Sequence, residues 1–192
     1  MEWQCPTQSS IKEITMLRRS SSMVLVLVVG LSLVLVGAGG TRLAPTTAHA
    51  DACSHVDQGS GNTAAGSCAT VSGGQTNSAS AQWSTVGGGL NNQTTGQGGT
   101  VGGGGNNKAS NLDAVVGGGG SNTASGQRSV VGGGDSNTAS NTTATVGGGG
   151  TNLAQGSSAA VGGGYHNLSS GDRSVIAGGS DNTATGGNTS IG

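Results

Sequence analysis

The stretch "VVGGGDSNTASNTTATVGGGG", residues 130–150, holds one unit twice: a valine followed by a run of glycines, with a polar Ser-Asn-Thr-Ala-Ser segment between the copies. Outward from Val131, branched aliphatic residues recur at Val56, Val71, Val86, Val101, Val116, Val131, Val146, Val161, Ile176 and Ile191, fifteen residues apart without a slip. Six places after them stand Asn62, Asn77, Asn92, Asn107, Asn122, Asn137, Asn152, Asn167 and Asn182. Two places further on the residue is always small, from Ala64 and Ala79 through Thr94 to Ser169 and Ala184, and the glycine pairs Gly73-Gly74 to Gly178-Gly179 keep the same register.

A fixed period with no insertions marks a solenoid, in which each repeat is one coil stacked on the last. Helical repeats are excluded, since they need more than about thirty residues and lose about 1 kcal/mol for each interior glycine. Fifteen residues suit a small β-coil, with one strand around each valine, as in Ser84-Thr85-Val86, and a second at Asn-x-Ala. The expected fold is therefore all-β: a parallel β-roll or β-solenoid of about nine to ten coils over residues 51–192, with Val71, Val86, Val101, Val116, Val131, Val146, Val161 and Ile176 as its structural core. Ten places after the aliphatic column come Gly66, Ala81, Gly96, Asn111, Gly126, Asn141, Gly156, Gly171 and Gly186. Glycine and asparagine tolerate a left-handed backbone best, so this column predicts a turn with positive φ, with local strain or a locally altered turn at Ala81. A disordered glycine-rich linker would share the composition but would have no reason to hold such columns. The asparagines are expected to form a ladder, each side-chain amide bonded to the one in the next coil, in a structural role and not a binding one.

Composition narrows the function classes. Glycine fills 41 of 192 positions, phenylalanine is absent, 8% of residues are charged and the net charge is -1. Neither the basic excess of a nucleic-acid binder nor an acidic tail is present. Residues 1–50 differ from the rest: Arg18 and Arg19 precede the apolar run Met23 to Val36, and Ala48-His49-Ala50 offers a small-residue cleavage site. This is the layout of a secretory signal peptide cut near Ala50, with Met16 as an alternative start. The apolar run is shorter than the roughly 20 residues of a membrane span, so the expected membrane contact is through the signal alone and the expected location is extracellular or at the cell surface. Cys53 and Cys68 then lie one period apart. Adjacent coils put them about 4.8 Å from each other, within disulfide range, and secretion supplies the oxidising setting.

Each coil offers one branched aliphatic residue and a few alanines to set against the ordering of fifteen backbones. Side-by-side packing of several rolls would add burial, and the glycine pairs would permit close approach, so oligomerisation is expected. "SVVGGGDSNTAS" (Ser129 to Ser140) and "TVSGGQTNSAS" (Thr70 to Ser80) resemble the head repeats of YadA-like trimeric autotransporter adhesins. The resemblance covers nearly all of residues 51–192 and implies a left-handed roll, a homotrimer, and adhesion to a host matrix protein, a polymer or a cell-surface ligand. That family's heptad stalk and membrane-anchor β-barrel have no counterpart within these residues, so the chain is either a piece of a longer adhesin or a head-like protein that acts by itself.

No catalytic, metal or cofactor chemistry is indicated. The titratable residues after Ala50, among them Asp113, Lys108, Asp135 and Asp181, share no column often enough to build an acid–base pair, and no glutamate occurs there. The glycine runs lack the Gly-Lys-Ser/Thr of a phosphate loop and the periodic aspartate of calcium-binding nonapeptides. His166 beside Tyr165 is one histidine, which makes no metal site. Exposed aromatic and arginine side chains are where protein contacts concentrate, and Trp83, Arg128, Tyr165 and Arg173 in the variable columns form the expected contact surface. Two other readings compete: an ice-binding β-solenoid, for which the column Thr70, Thr85, Thr100, Val115, Val130, Thr145 is a broken threonine lattice, and a structural envelope or matrix fibre built by end-to-end stacking.

Overall fold

The computed structural model describes residues 53–192, preceded by the short strands Val26–Val29, Ser32–Leu35 and Thr47–Ala48. Most of the segment assigned to the signal peptide, including its cleavage site at Ala50, lies outside the described residues. Val26–Val29 pairs antiparallel with Ser32–Leu35. All regular structure among the described residues is β, and no helix there is long and apolar enough to cross a membrane.

The repeat region is a parallel β-solenoid of about nine turns. Each coil contributes two strands of two residues, such as Thr100–Val101 and Lys108–Ala109, to two separate ten-stranded parallel sheets. Register follows the period: Val101 pairs with Val116 and Val116 with Val131 in the first sheet, Ala109 with Ala124 and Ala124 with Ala139 in the second. The second sheet extends back to Thr47–Ala48, which lies opposite Thr63–Ala64 at a spacing one residue longer than the repeat. A row of single bridges, Ser60↔Gln75 through Tyr165↔Ser180, lines the connection from the first sheet to the second.

Strand alternation sends one residue of each pair inward. Val71, Val86, Val101, Val116, Val131, Val146, Val161 and Ile176 face in from the first sheet, and the alanine column with Thr94 and Ser169 faces in from the second. A further interior column was not singled out in the sequence: Ala69, Ser84, Ala114, Ser129, Ala144, Ala159 and Ser174, each two residues before a core valine or isoleucine, are fully buried, and Gly99 holds the same place before Val101. Where it holds serine, the hydroxyl is satisfied locally, as in Ser129 Oγ donating to Gly126 O at 2.7 Å.

The asparagine column is buried between these rows, and its bonding differs from a side-chain-to-side-chain ladder. Asn122 Oδ1 accepts the backbone N–H of Asn137 at 2.9 Å, while its Nδ2 donates to Gly118 O in its own coil and to Gly134 O in the next, each at 2.9 Å. Direct amide–amide bonds occur only at some steps, such as Asn167 Nδ2 to Asn152 Oδ1 at 3.0 Å. The physical reason is proximity: two glycine carbonyls at the tight connection lie within reach of each Nδ2 along the column, 2.9 Å away at Asn122, and a buried amide takes every partner it can reach.

The expected left-handed turn at the Gly66-Ala81-Gly96 column is displaced. Positive φ falls two residues later, at Cys68, Trp83, Gly98, Asp113, Arg128, Thr143, Ser158, Arg173 and Asn188. Gly66 and its equivalents open a four-residue turn closed by a bond such as Ala69 N–H to Gly66 O at 3.1 Å, so the left-handed residue is the third of the turn, as in type II. Glycine is needed at Gly66 for a different reason: a Cβ there would overlap the carbonyl of Ala81 in the next coil. Ala81 itself is not left-handed; the positive φ of its coil falls at Trp83.

A second left-handed column, Thr76, Asn91, Asn106, Ser121, Ser136, Thr151, His166 and Asp181, occupies the connection from the first sheet to the second. Both columns have one cause. Strand residues donate forward, as Thr100 N–H does to Ala114 O, whereas the left-handed residues donate backward, as Trp83 N–H does to Ser67 O and Asn106 N–H to Leu90 O. Reversing the N–H direction at each corner lets the chain turn while its amides stay bonded to a neighbouring coil.

Two substitutions test this account on the folded repeat chain. Asn122→Ala strands the buried N–H of Asn137 and takes the amide donor from Gly118 O and from Gly134 O, the second of which keeps the N–H of Gly120, and should cost about 3 kcal/mol. Gly117→Ala, whose Cβ would overlap Gly132 O, should cost at least as much, whereas Thr138→Ala on the half-exposed sheet face should lie within about 0.5 kcal/mol of the parent in a denaturant titration.

Candidate functional surface

The interior leaves no room for chemistry, because valine, alanine and bonded asparagine or serine fill it. The variable side chains lie on the corners and sheet faces. Trp83, Arg128 and Arg173 all fall in the left-handed column of the return connection. They stand three coils apart in turn, so at a coil rise of about 4.8 Å they form a line with roughly 14 Å between successive members. Trp83 is 56% exposed, and both arginines are exposed. A tryptophan at φ 57 is unusual for a bulky residue, and the backward N–H bond to Ser67 O at 2.8 Å holds it there.

Tyr165 does not join that line. It sits in the bridge row of the other connection, 61% exposed, with its ring 6.2 Å from that of His166 and tilted by 43°. His166 Nδ1 lies 2.8 Å from Asp181 Oδ1 in the following coil, and both side chains are exposed. Near the start of the roll, His55 bonds Asp57, a pair that the two-residue spacing along one strand exit brings together. These are the histidine–carboxylate pairs among the described residues, and no three histidine, cysteine, aspartate or glutamate side chains there come together as metal ligands would. The contact surface expected as one set is thus divided between a three-membered line and a separate Tyr165-His166-Asp181 cluster.

Cys53 and Cys68 are joined by a disulfide between the first two coils, with Cα atoms 4.5 Å apart. Cys68 occupies the left-handed corner in the same column as Trp83. The bond ties the open end of the sheet stack to its neighbour, where a one-dimensional assembly frays first.

A shallow polar groove of about 230 Å³ lies on the opposite connection, lined by Thr76, Ser78, Asn91, Gln93, Asn106 and Lys108. Asn91 Nδ2 donates to Asn106 Oδ1 at 2.8 Å along its rim. None of these residues was singled out in the sequence as a binding residue; the signal available was the break in column identity at Gln93 and Lys108, where other coils carry threonine, serine or leucine. No family model matches the chain, and no curated protein does.

Replacing Cys53 and Cys68 together by serine should raise amide exchange over residues 54–66 by about tenfold or more while leaving residues 115–160 unchanged, as measured by hydrogen–deuterium exchange.

Proposed function

We propose that residues 51–192 form a secreted, non-enzymatic adhesion head of the YadA-like type: a left-handed roll that associates into a homotrimer and binds a host matrix protein, a polymer or a cell-surface ligand. The observation that carries this reading is the division of labour within the coil. All strict residue requirements are spent on interior columns and close backbone contacts, while the left-handed corners accept tryptophan, arginine, aspartate or threonine alike. Such a scaffold holds side chains in a straight, evenly spaced array at little cost to the fold, which suits multivalent binding to a repetitive surface.

Assembly is supported by one run of glycines, Gly103 to Gly163, that the roll itself does not require, although Gly73 and Gly88 earlier in the same column have positive φ. Gly117 would clash with the next coil if it bore a side chain, but a Cβ on the adjacent Gly118 would meet nothing nearer than Gly103 O at 3.9 Å. Gly133 and Gly163 are similarly open, and Gly148 has no atom within 4 Å of that point. Their backbones are not left-handed, so conformation does not demand glycine either. Close approach of another roll along this stripe gives the column a reason.

The secreted chain should run as a trimer by light scattering after size-exclusion chromatography. Gly133→Leu should shift it to monomer while coil spectra persist, and a folded monomeric parent would reject the assembly. In a surface-binding assay on matrix-coated plates, the combined substitution Trp83→Ala, Arg128→Ala, Arg173→Ala should lower apparent affinity by about tenfold or more with an unchanged melting temperature. Equal binding by parent and triple variant would remove the corner line from the adhesion surface.

A further inference from the structure

In a repeat protein, whatever a coil needs in order to stack recurs in every coil. A side chain that departs from its column is therefore free of the fold's demand. The outward position of the second sheet carries threonine, serine or leucine at Thr63, Ser78, Thr123, Thr138, Leu153, Leu168 and Thr183, whereas at two adjacent coils it carries the longer polar side chains Gln93 and Lys108. The corner two residues earlier carries Asn91 and Asn106 in the same two coils. Three carboxamides and the one lysine after Ala50 are thereby gathered along the polar groove of about 230 Å³.

Their bonding is incomplete in a particular way. The Asn91–Asn106 bond orients both amides but leaves Asn91 Oδ1 and Asn106 Nδ2 without side-chain or backbone partners. The amide of Gln93 and the ammonium of Lys108 make no side-chain hydrogen bond among the described residues, and no carboxylate there pairs with Lys108. The groove thus offers one unpaired cation, several mixed donor–acceptor amides, hydroxyls at Thr76 and Ser78, and no aromatic or aliphatic anchor.

We propose that this groove binds a carboxylate-bearing sugar chain, a polymer or oligomer of uronic-acid type. A primary amide both donates and accepts, as does a sugar hydroxyl, so amides on successive coils can pair with hydroxyls on successive sugars. Lys108 supplies a charge-assisted bond to the carboxylate. The coil rise of about 4.8 Å is comparable to the advance per residue of an extended polysaccharide, which lets one chain run along the groove in register. Nucleic acid fits poorly, because a single cation cannot track a phosphate backbone and no ring is present for base stacking. A peptide would lack the buried apolar anchor that such complexes rely on. The proposal rests on the adhesion reading in that it names a ligand class for that head, but it uses a surface separate from the Trp83–Arg128–Arg173 line.

The probe is an oligogalacturonate, with its methyl ester as the uncharged counterpart, titrated into the full secreted chain at low ionic strength. Binding is read by calorimetry and by the side-chain amide resonances of Asn91, Gln93 and Asn106. The acid form should bind and shift those resonances, and the ester should bind about tenfold more weakly or less. Lys108→Thr restores the residue that the column accepts elsewhere and should weaken binding about tenfold or more, while Arg128→Gln should change it less than about twofold. Absence of binding, resonance shifts elsewhere, or equal affinity of parent and Lys108→Thr would each overturn the proposal. If the chain adheres to matrix-coated plates but the oligosaccharide neither binds nor competes, the groove proposal fails and adhesion stands. If the oligosaccharide binds as described and the chain adheres to no surface, the groove stands and the adhesion head fails.

Discussion

The buried asparagine amide is the constraint on which the solenoid depends. Asn122 is bonded at once to its own coil through Gly118 O, to the next through Gly134 O, and to the next asparagine through the N–H of Asn137. A buried amide that loses such partners carries its desolvation cost unrelieved. One inserted residue in any coil would slide the following asparagine out of this arrangement, together with the glycine carbonyls it needs. The unbroken period from Val56 to Ile191 is what that constraint leaves behind in the sequence. Hydrophobic burial alone would not impose it, since a small valine–alanine interior tolerates local shifts better than a fully bonded amide does.

Glycine has two distinct roles once the asparagine is placed. At Gly104, with φ 88, the carbonyl of Gly119 and the Asn107 amide close in on the backbone from the coil above and from within. Here glycine is demanded by the very contacts that satisfy the asparagine, so the two columns are one device read twice. The open column through Gly118 and Gly148 has no such partner inside the roll. The physical distinction between them is invisible in the residue letters and becomes plain only when the space around each Cα is known.

Legibility of the sequence followed the source of each constraint. Val131 and Asn122 could be read because volume and hydrogen bonding restrict each of them to one or two residue types. The strand pairs followed from alternation around them. The left-handed corner at Trp83 and its equivalents could not be read, because the conformation is imposed from outside: the backward bond from Trp83 N–H to Ser67 O holds φ positive beside tryptophan, arginine or threonine alike, so no glycine or asparagine preference accumulates in that column. Gly66 drew attention for its residue type, but that glycine answers to the carbonyl of Ala81 and not to φ. The candidate contact residues were visible one by one, whereas their grouping was not. A difference of position within the coil separates Tyr165 from Trp83, and only the two connections between sheets show that this difference moves a side chain to another edge.

The same logic explains why the disulfide, the corner line and the polar groove can coexist. In a stack with nearest-neighbour contacts only, a change in one coil reaches the adjacent coils and little further. Cys53 and Cys68 secure the first step, and the coils after it are each held on both sides by their own amide bonds. Coils bearing Gln93 and Lys108 can therefore diverge at the surface without disturbing those bearing Arg128 or Tyr165, provided the inward Thr94 and Ala109 stay buried. Surface chemistry is thus decoupled from stability along the axis, and a sequence built this way can alter what one coil recognises while every other coil keeps its place.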